Sequence, residues 1–279
     1  GFVAATFRDD CGAEALAYAQ ASAANETLAL EIVVDPAHRV ELDDVGHALV
    51  AAVVDDLAGR GGGSLDWWIH GDPAHAAVAA RAGFREVRRL IEMRRPLPAD
   101  RTAEVATRSF VVGQDEEEWV AVNNRAFAGH AEQGGWTVDA LRRREREPWF
   151  DPAGFRILEQ GGRMAAFCWT KVHEPSAYEA RTIGEIYVIA VDPDFHGKGL
   201  GSQLTLAGLD HLTGRGITLA ALFVDAANAA AVALYERLGF TTHAVSTAHR
   251  LDVEPESTGP TGPTGRRGSE ESTADAARA

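Results

Sequence analysis

The sequence predicts an α+β fold of mixed α/β order, built as two tandem copies of one domain, and three observations carry that reading. Glu31-Ile32-Val33-Val34-Asp35-Pro36 returns as Val188-Ile189-Ala190-Val191-Asp192-Pro193 at an offset of 157, and Ala82-Gly83-Phe84 returns as Leu238-Gly239-Phe240 at an offset of 156. Two separate matches at nearly one offset mark a duplication. Third, strand-like, glycine-rich and helix-like segments alternate in the second copy, which puts a strand-turn-helix unit at its centre. The 279 residues suit two domains of roughly 100–200 residues each.

The second copy, residues 107–253, parses in order. Residues 107–112 read as a first strand, Asp115 as the N-cap of a helix through Asn123 to Phe127, and Thr137 as the cap of another ending near Pro148. Residues 154–160 and 163–173 flank Gly161-Gly162 as a hairpin. A buried strand over 185–191, a glycine-rich turn and a helix over 200–213 follow. A strand over 217–224, a helix over 228–237 and a strand pair over 241–251 complete the copy.

The first copy, residues 1–98, starts late on this template: one strand, Gly1 to Arg8, precedes the strand that echoes 185–191. By comparison with the second copy, roughly 50–60 residues are expected to be missing ahead of it, and the chain opens without an initiator Met. Residues 99–106 read as a linker. Residues 254–279, rich in Gly, Pro, Ser, Thr and charge, read as a disordered tail.

Composition removes several function classes. The net charge is −14 with no basic stretch, so nucleic acid and anionic membranes are not expected partners. The most apolar run, 217–234, is interrupted by Asp225 and Asn228, too soon for a membrane span. Cys11 and Cys168 match neither a disulfide framework nor a zinc pattern, and no His pair has metal spacing. A cytoplasmic, metal-free monomer is expected. Basic residues are 25 Arg and only Lys171 and Lys198 as lysines, which singles those two out.

The strongest local signal is Val191-Asp192-Pro193-Asp194-Phe195-His196-Gly197-Lys198-Gly199-Leu200-Gly201-Ser202, between a predicted strand and a predicted helix. Glycines let successive N–H groups turn toward one anion, the helix adds its positive end, and Lys198 adds a mobile charge; such a unit suits a pyrophosphate. A Gly-rich turn with no ligand is the plainer alternative. Neither the P-loop nor the dinucleotide-binding spacing is present.

That loop, together with the later Asn228-x-x-Ala231-x-x-Leu234-Tyr235-x-x-x-Gly239-Phe240 segment, resembles the GNAT acetyltransferases. The tandem arrangement adds to this, with Asn123-Asn124-Arg125-Ala126-Phe127, Glu132-Gln133-Gly134-Gly135-Trp136-Thr137, Pro148-Trp149-Phe150-Asp151-Pro152, Trp169-Thr170-Lys171-Val172-His173 and Gly184-Glu185-Ile186-Tyr187-Val188. These resemble the mycothiol synthase family of two-domain GNAT enzymes, over about residues 1–252. The resemblance implies acetyl-CoA as cosubstrate and acetylation of the cysteinyl amine of cysteinyl-glucosaminyl-inositol, a small thiol sugar. It implies Glu185 as general base and Tyr235 as general acid, with Glu132 and Lys171 holding the acceptor's polar groups. It places the pantetheine arm along Ile189, Ala190 and Val191, the pyrophosphate at His196, Gly197, Lys198, Gly199, Leu200, Gly201 and Ser202, and Asn228 beside the CoA arm. Phe223 stands where a Tyr is expected to touch the acceptor, which removes one hydrogen bond.

The roles are chemically consistent, since acetyl transfer needs a neutral amine and a protonated leaving thiolate. Taken singly, the residues have plainer readings: Glu185 as a solvated strand end, Tyr235 as a core-edge aromatic, Lys171 as an exposed cation, Trp136, Trp169 and Cys168 as core. In the first copy Leu28 and Ala79 stand at the Glu185 and Tyr235 positions, and its loop, read as two residues longer, carries Glu41, Asp43 and Asp44 where phosphates would sit. A non-catalytic partner domain follows. Two other functions fit the same residues: a tandem GNAT enzyme acting on an aminoglycoside-like or peptide amine, and a non-catalytic acyl-CoA-binding module.

Overall fold

The computed structural model describes residues 2–8, 15–24, 27–129, 133–177 and 179–256. From residue 257 onward the tail lies outside the described residues, as does Glu132.

In the first copy, β1 (Phe2–Arg8), β2 (Ala15–Ala24) and β3 (Thr27–Val34) form an antiparallel meander. A 3-10 turn (Pro36–Glu41) runs into α1 (Leu42–Gly59), followed by β4 (Gly63–His70), α2 (Pro73–Arg81) and β5 (Arg85–Pro96). The second copy contains β6 (Arg108–Ser109), α3 (Glu116–Ala126), α4 (Val138–Arg144), β7 (Phe155–Gln160), β8 (Arg163–His173), β9 (Ile183–Val191), α5 (Leu200–Gly214), β10 (Leu219–Asp225), α6 (Ala229–Arg237) and β11 (Thr241–Val253). Among the described residues, all eleven strands join one sheet in the order β1-β2-β3-β4-β11-β5-β10-β9-β8-β7-β6.

That order shows an exchange. β4 pairs with β11 and β10 pairs with β5, both antiparallel, so the last strand of each copy completes the other copy's side of the sheet. Residues 241–251, expected as a strand pair, form one continuous strand instead, because β4 and β5 flank it on both sides. The cores interlock accordingly. Met93 and Leu97, from the first copy, are buried among Ile186, Leu204 and Leu222 of the second, and Val253 closes the core under α1. Each such side chain contributes about 1.5–3 kcal/mol on burial.

Local chemistry explains the elements that position the site. Gly161 (φ 62°) and Gly162 (φ 76°) form the tight turn between β7 and β8, a two-residue connection needing positive φ at both positions. The echoed Gly-Phe pairs are helix stops: Gly83 (φ 86°) and Gly239 (φ 81°) turn left-handed, and the following Phe N–H reaches back to Ala79 O at 2.9 Å and to Tyr235 O at 3.0 Å. Thr137 caps α4 through Ala140 N at 3.1 Å. Asp115 precedes α3 without capping it; its carboxylate takes Arg108 at 2.6 Å and Val111 N at 2.7 Å instead. The strand expected over 107–112 is correspondingly short, since Val111 N is spent on that carboxylate.

Beneath α3 and α4 lies an aromatic core in which Phe155 stacks on Trp169 at 4.7 Å and on Phe110 at 4.5 Å. Trp169 and Cys168 are fully buried, matching the plainer reading of both.

Candidate active site

The site begins with a single extra residue. β8 and β9 pair in register from Ala166–Val191 to Trp169–Val188, then Thr170 pairs with Ile186, leaving Tyr187 as a bulge. Below it, β9 meets β10 at three positions only, Gly184–Ala220, Glu185–Ala221 and Ile186–Leu222. Above it, β9 and β10 share no further pairing among the described residues and the two strands part, with Val191 O held by His196 Nε2 at 3.0 Å. The opening is a cleft of about 600 Å³ lined by Glu185, Tyr187, Ile189, Phe223, Asn228 and Tyr235, among others.

Register through the bulge corrects one correspondence. β2 and β3 pair without irregularity, so the offset between copies is 157 above Tyr187 and one less below it. Ala29, not Leu28, is therefore the counterpart of Glu185.

Glu185 is buried beside the point where pairing ends, and its Oε2 lies 2.5 Å from His173 Nε2. Tyr235 comes from the other face, on α6, where burial pushes its phenol above the ordinary value of 10.0. That keeps it protonated throughout the physiological range. Asn228 caps α6 through Ala231 N at 3.1 Å.

A second cavity of about 460 Å³ opens on the glycine turn and is lined by Ile189, Ala190, Val191, His196, Gly197, Gly199, Leu200 and Gly201. It shares Ile189, Asn228, Ala231 and Tyr235 with the cleft, so the two spaces adjoin. Gly197 (φ 77°) and Gly199 (φ 72°) turn left-handed, and α5 starts with no side-chain cap on its N–H groups. Gly201 approaches Leu234 of α6 closely enough that a Cβ would stand 3.4 Å from its Cδ1. The turn is anchored by Asp192, fully buried, which pairs with Arg125 and accepts from Asp194 N at 3.0 Å; Arg125 holds its carboxyl below the ordinary range. Lys198 Nζ lies over the Phe195 ring at 4.8 Å, beside this cavity, while Ser202 sits in the first turn of α5 and does not line it.

Lys171 pairs directly with Glu185 across β8 and β9, and its ammonium rests over Trp149 at 4.6 Å and Tyr187 at 5.5 Å. Phe223, half exposed, lines both the cleft and a third cavity of about 300 Å³ that also contains Glu185, His173, Glu92 and Arg94. The structure thus brings Glu185, Tyr235, Phe223 and Asn228 around one opening, with the glycine turn next to it, while Lys171 does not line it and packs against Tyr187 of its wall. Among the described residues, no group of three or more His, Cys, Asp and Glu is arranged to hold a metal ion, and no helix is long and apolar enough to cross a membrane.

The first copy's loop departs from expectation. Seven residues, 35–41, separate β3 from α1, against eight, 192–199, between β9 and α5, so the loop is not longer. Asp43 and Asp44 lie in the first turn of α1, where they complement the helix dipole and hold Arg81 at 2.9 and 3.4 Å.

Comparison with known proteins agrees with this geometry. The acetyltransferase (GNAT) family matches residues 117–240. The chain is 50% identical to the mycothiol acetyltransferase of Thermobispora bispora, over 79% of this chain and 75% of that one. The chain belongs to the mycothiol acetyltransferase family. The Streptomyces coelicolor member is 44% identical over 86% of this chain and 77% of its own. A GCN5-related N-acetyltransferase from Sphaerobacter thermophilus superposes with a TM-score of 0.69 at 22% identity, covering 90% of this chain and 81% of that one. A tandem GNAT protein from the clavulanic acid biosynthesis pathway gives 0.65 at 14%, covering 92% and 84%. These two share the fold.

As a mycothiol acetyltransferase family member, the chain draws cleft residues from its first copy that the sequence did not single out. Arg88, Leu90, Glu92 and Arg94 lie on β5 and reach the second copy's cavities through the strand exchange. Arg88 pairs with Asp225 at 2.7 Å, and Arg94 bridges Glu92 at 2.5 Å and Glu179 at 2.7 Å. The alternating charges of 85–95 were the available signal; they had no assigned neighbour until the strand order was known. His173 was visible only as part of a motif.

Proposed function

We propose that the chain transfers the acetyl group of acetyl-CoA to the cysteinyl amine of cysteinyl-glucosaminyl-inositol, forming mycothiol. One observation carries the mechanism: a buried carboxylate at the end of a strand pairing and a buried phenol on the facing helix share one cleft, with an anion-compatible glycine turn adjoining it. Acetyl-CoA supplies the reactive thioester. The uncapped N–H groups at Gly199 to Gly201 and the ammonium of Lys198 suit its pyrophosphate. The edge at Ile189 to Val191, where the Val191 carbonyl is already held by His196 Nε2 at 3.0 Å, offers its remaining backbone groups to the pantetheine amides.

Glu185 receives a proton from the amine. A terminal α-amino group has a pKa near ~8, so little energy is needed to neutralise it and the carboxylate acts mainly by position. Tyr235 donates its proton to the departing thiolate; its burial keeps the phenol neutral until that moment. Lys171 and Glu132 hold the acceptor's polar groups, and Phe223 packs against it. The first copy supports this chemistry without a catalytic pair of its own, and the enzyme works as a cytoplasmic monomer with no metal.

Release of free CoA, assayed with the cysteinyl sugar against a panel of aminoglycoside and peptide amines, tests the reading. Turnover of the cysteinyl sugar well above the panel is expected. Acetylation of an unrelated amine with none of the cysteinyl sugar would move the chain to another acceptor, and CoA binding without any transfer would make it a binding module.

A further inference from the structure

We infer that Arg94, with its partners Glu92 and Glu179, forms the subsite for the hydroxyl-rich ring at the far end of the acceptor, so that a strand of the first copy sets specificity for chemistry in the second. The inference rests on the cysteinyl sugar as acceptor and on Glu185 as general base. Three spaces lie in a row. The cavity on the glycine turn shares Ile189, Asn228, Ala231 and Tyr235 with the central cleft, and the cleft shares Glu185 and Phe223 with the third cavity, whereas the outer two have no lining residue in common. With the pyrophosphate at one end and the amine at Glu185, the third cavity is the space left for the rest of the acceptor.

Sheet register sets the spacing. Glu185 pairs with Ala221 and Ala221 with Arg94, while Phe223 pairs with Glu92 in the next row, so these side chains share one face. Arg94 stands two strands from Glu185, roughly 10 Å at the usual strand spacing, a distance that one pyranose ring and its linkages span. Phe223, on the strand between them and half exposed, offers its ring to the apolar face of that sugar.

The chemistry of the chain of ion pairs fits hydroxyl groups. Arg94 Nε donates to Glu92 Oε1 at 2.5 Å and Arg94 Nη1 to Glu179 Oε2 at 2.7 Å. Glu179 Oε1 accepts from Arg181 N at 3.1 Å and Arg181 Nε at 3.2 Å, so the guanidinium of Arg94 is fixed from both copies. Among the described residues, Arg94 Nη2 and Glu92 Oε2 have no hydrogen-bond partner. A charged donor and a charged acceptor are thus left over on one frame, and neighbouring hydroxyls, each able to donate and accept, use both. Two carboxylates and two guanidiniums make the chain neutral, which suits an uncharged ring better than an anion or a cation. Glu174 and Ser176 add further oxygens to the same cavity.

The test measures kcat/KM for two acceptors, cysteinyl-glucosaminyl-inositol and a cysteinyl-glucosamine methyl glycoside that lacks the inositol, in the full chain and in its R94Q and E179Q variants. R94Q leaves two carboxylates unpaired on a central strand, so E179Q, in the connection between β8 and β9, is the milder change; thermal denaturation verifies folding of both. The wild type should prefer the inositol-bearing acceptor by about 100-fold, the effect of two charge-assisted hydrogen bonds at roughly tenfold each. R94Q should reduce that preference about tenfold and E179Q about threefold, through KM for the full acceptor, with KM for acetyl-CoA within about twofold. A wild type with no preference overturns the subsite, as do folded variants that keep the wild-type preference or slow both acceptors equally. A wild type that turns over neither cysteinyl sugar instead overturns the acceptor assignment beneath it, and the subsite falls with it, so the two failures are separable.

Discussion

Two copies of one fold lie in the same sheet, and they differ where chemistry would occur. In the first, β3 runs straight along β2, and α1 begins directly after a 3-10 turn. In the second, Tyr187 is bulged out of β9, and two left-handed glycines precede an uncapped α5. Both copies keep three parallel pairs between their central strands. The parting of the central strands is therefore common to both copies; the bulge and the two left-handed glycines are what the second copy adds beside it.

Breaking the bulge tests the comparison at the level of cofactor binding. Deleting Tyr187 gives β9 the register of β3, and acetyl-CoA binding is expected to weaken more than tenfold, since the bend that the bulge gives β9 and the Tyr187 wall of the cleft are lost; calorimetric titration measures it. Y235F should lower kcat by ~10²–10⁴-fold, and E185Q by the lower end of that range, with acetyl-CoA affinity little changed. Either variant at wild-type kcat across pH 6 to 9 would remove that residue from the mechanism.

The exchange of β5 and β11 predicts a stability effect next. Met93 belongs to the first copy but is fully buried in the second copy's core. M93A should cost ~2–5 kcal/mol and lower a single denaturant midpoint. Two separate transitions, only one of them shifted, would show that the copies do not fold together.

Much of this was legible in the chain. The echoed Val-Asp-Pro and Gly-Phe segments gave the duplication because strand ends and helix stops need particular residues. The glycine turn was legible for the same reason. The strand exchange was not, because pairing partners far apart in sequence leave no local pattern. Nor was the bulge, since one extra residue in an apolar run looks like more strand; it shifted Glu185's counterpart from Leu28 to Ala29.

Two smaller effects sharpen the contrast. Burial raises the Tyr235 phenol and pushes the Cys168 thiol up to about 12. A raised folded value gives stability that is present below the unfolded value and lost as pH rises. Wild-type stability should thus fall above pH ~9–10, where unfolded Cys and Tyr ionise, and Y235F should remove part of that fall in denaturant titrations at pH 9 and 11. F223Y should tighten the cysteinyl sugar by ~0.5–1.5 kcal/mol, one net hydrogen bond, without changing acetyl-CoA binding.

The number of acetyl-CoA molecules bound per chain tests the difference between the copies most directly. Calorimetry is expected to give one tight site, weakened in K198E through the glycine turn of the second copy. Two equally tight sites per chain would contradict it, because the first copy would then bind acetyl-CoA with neither bulge nor glycine turn.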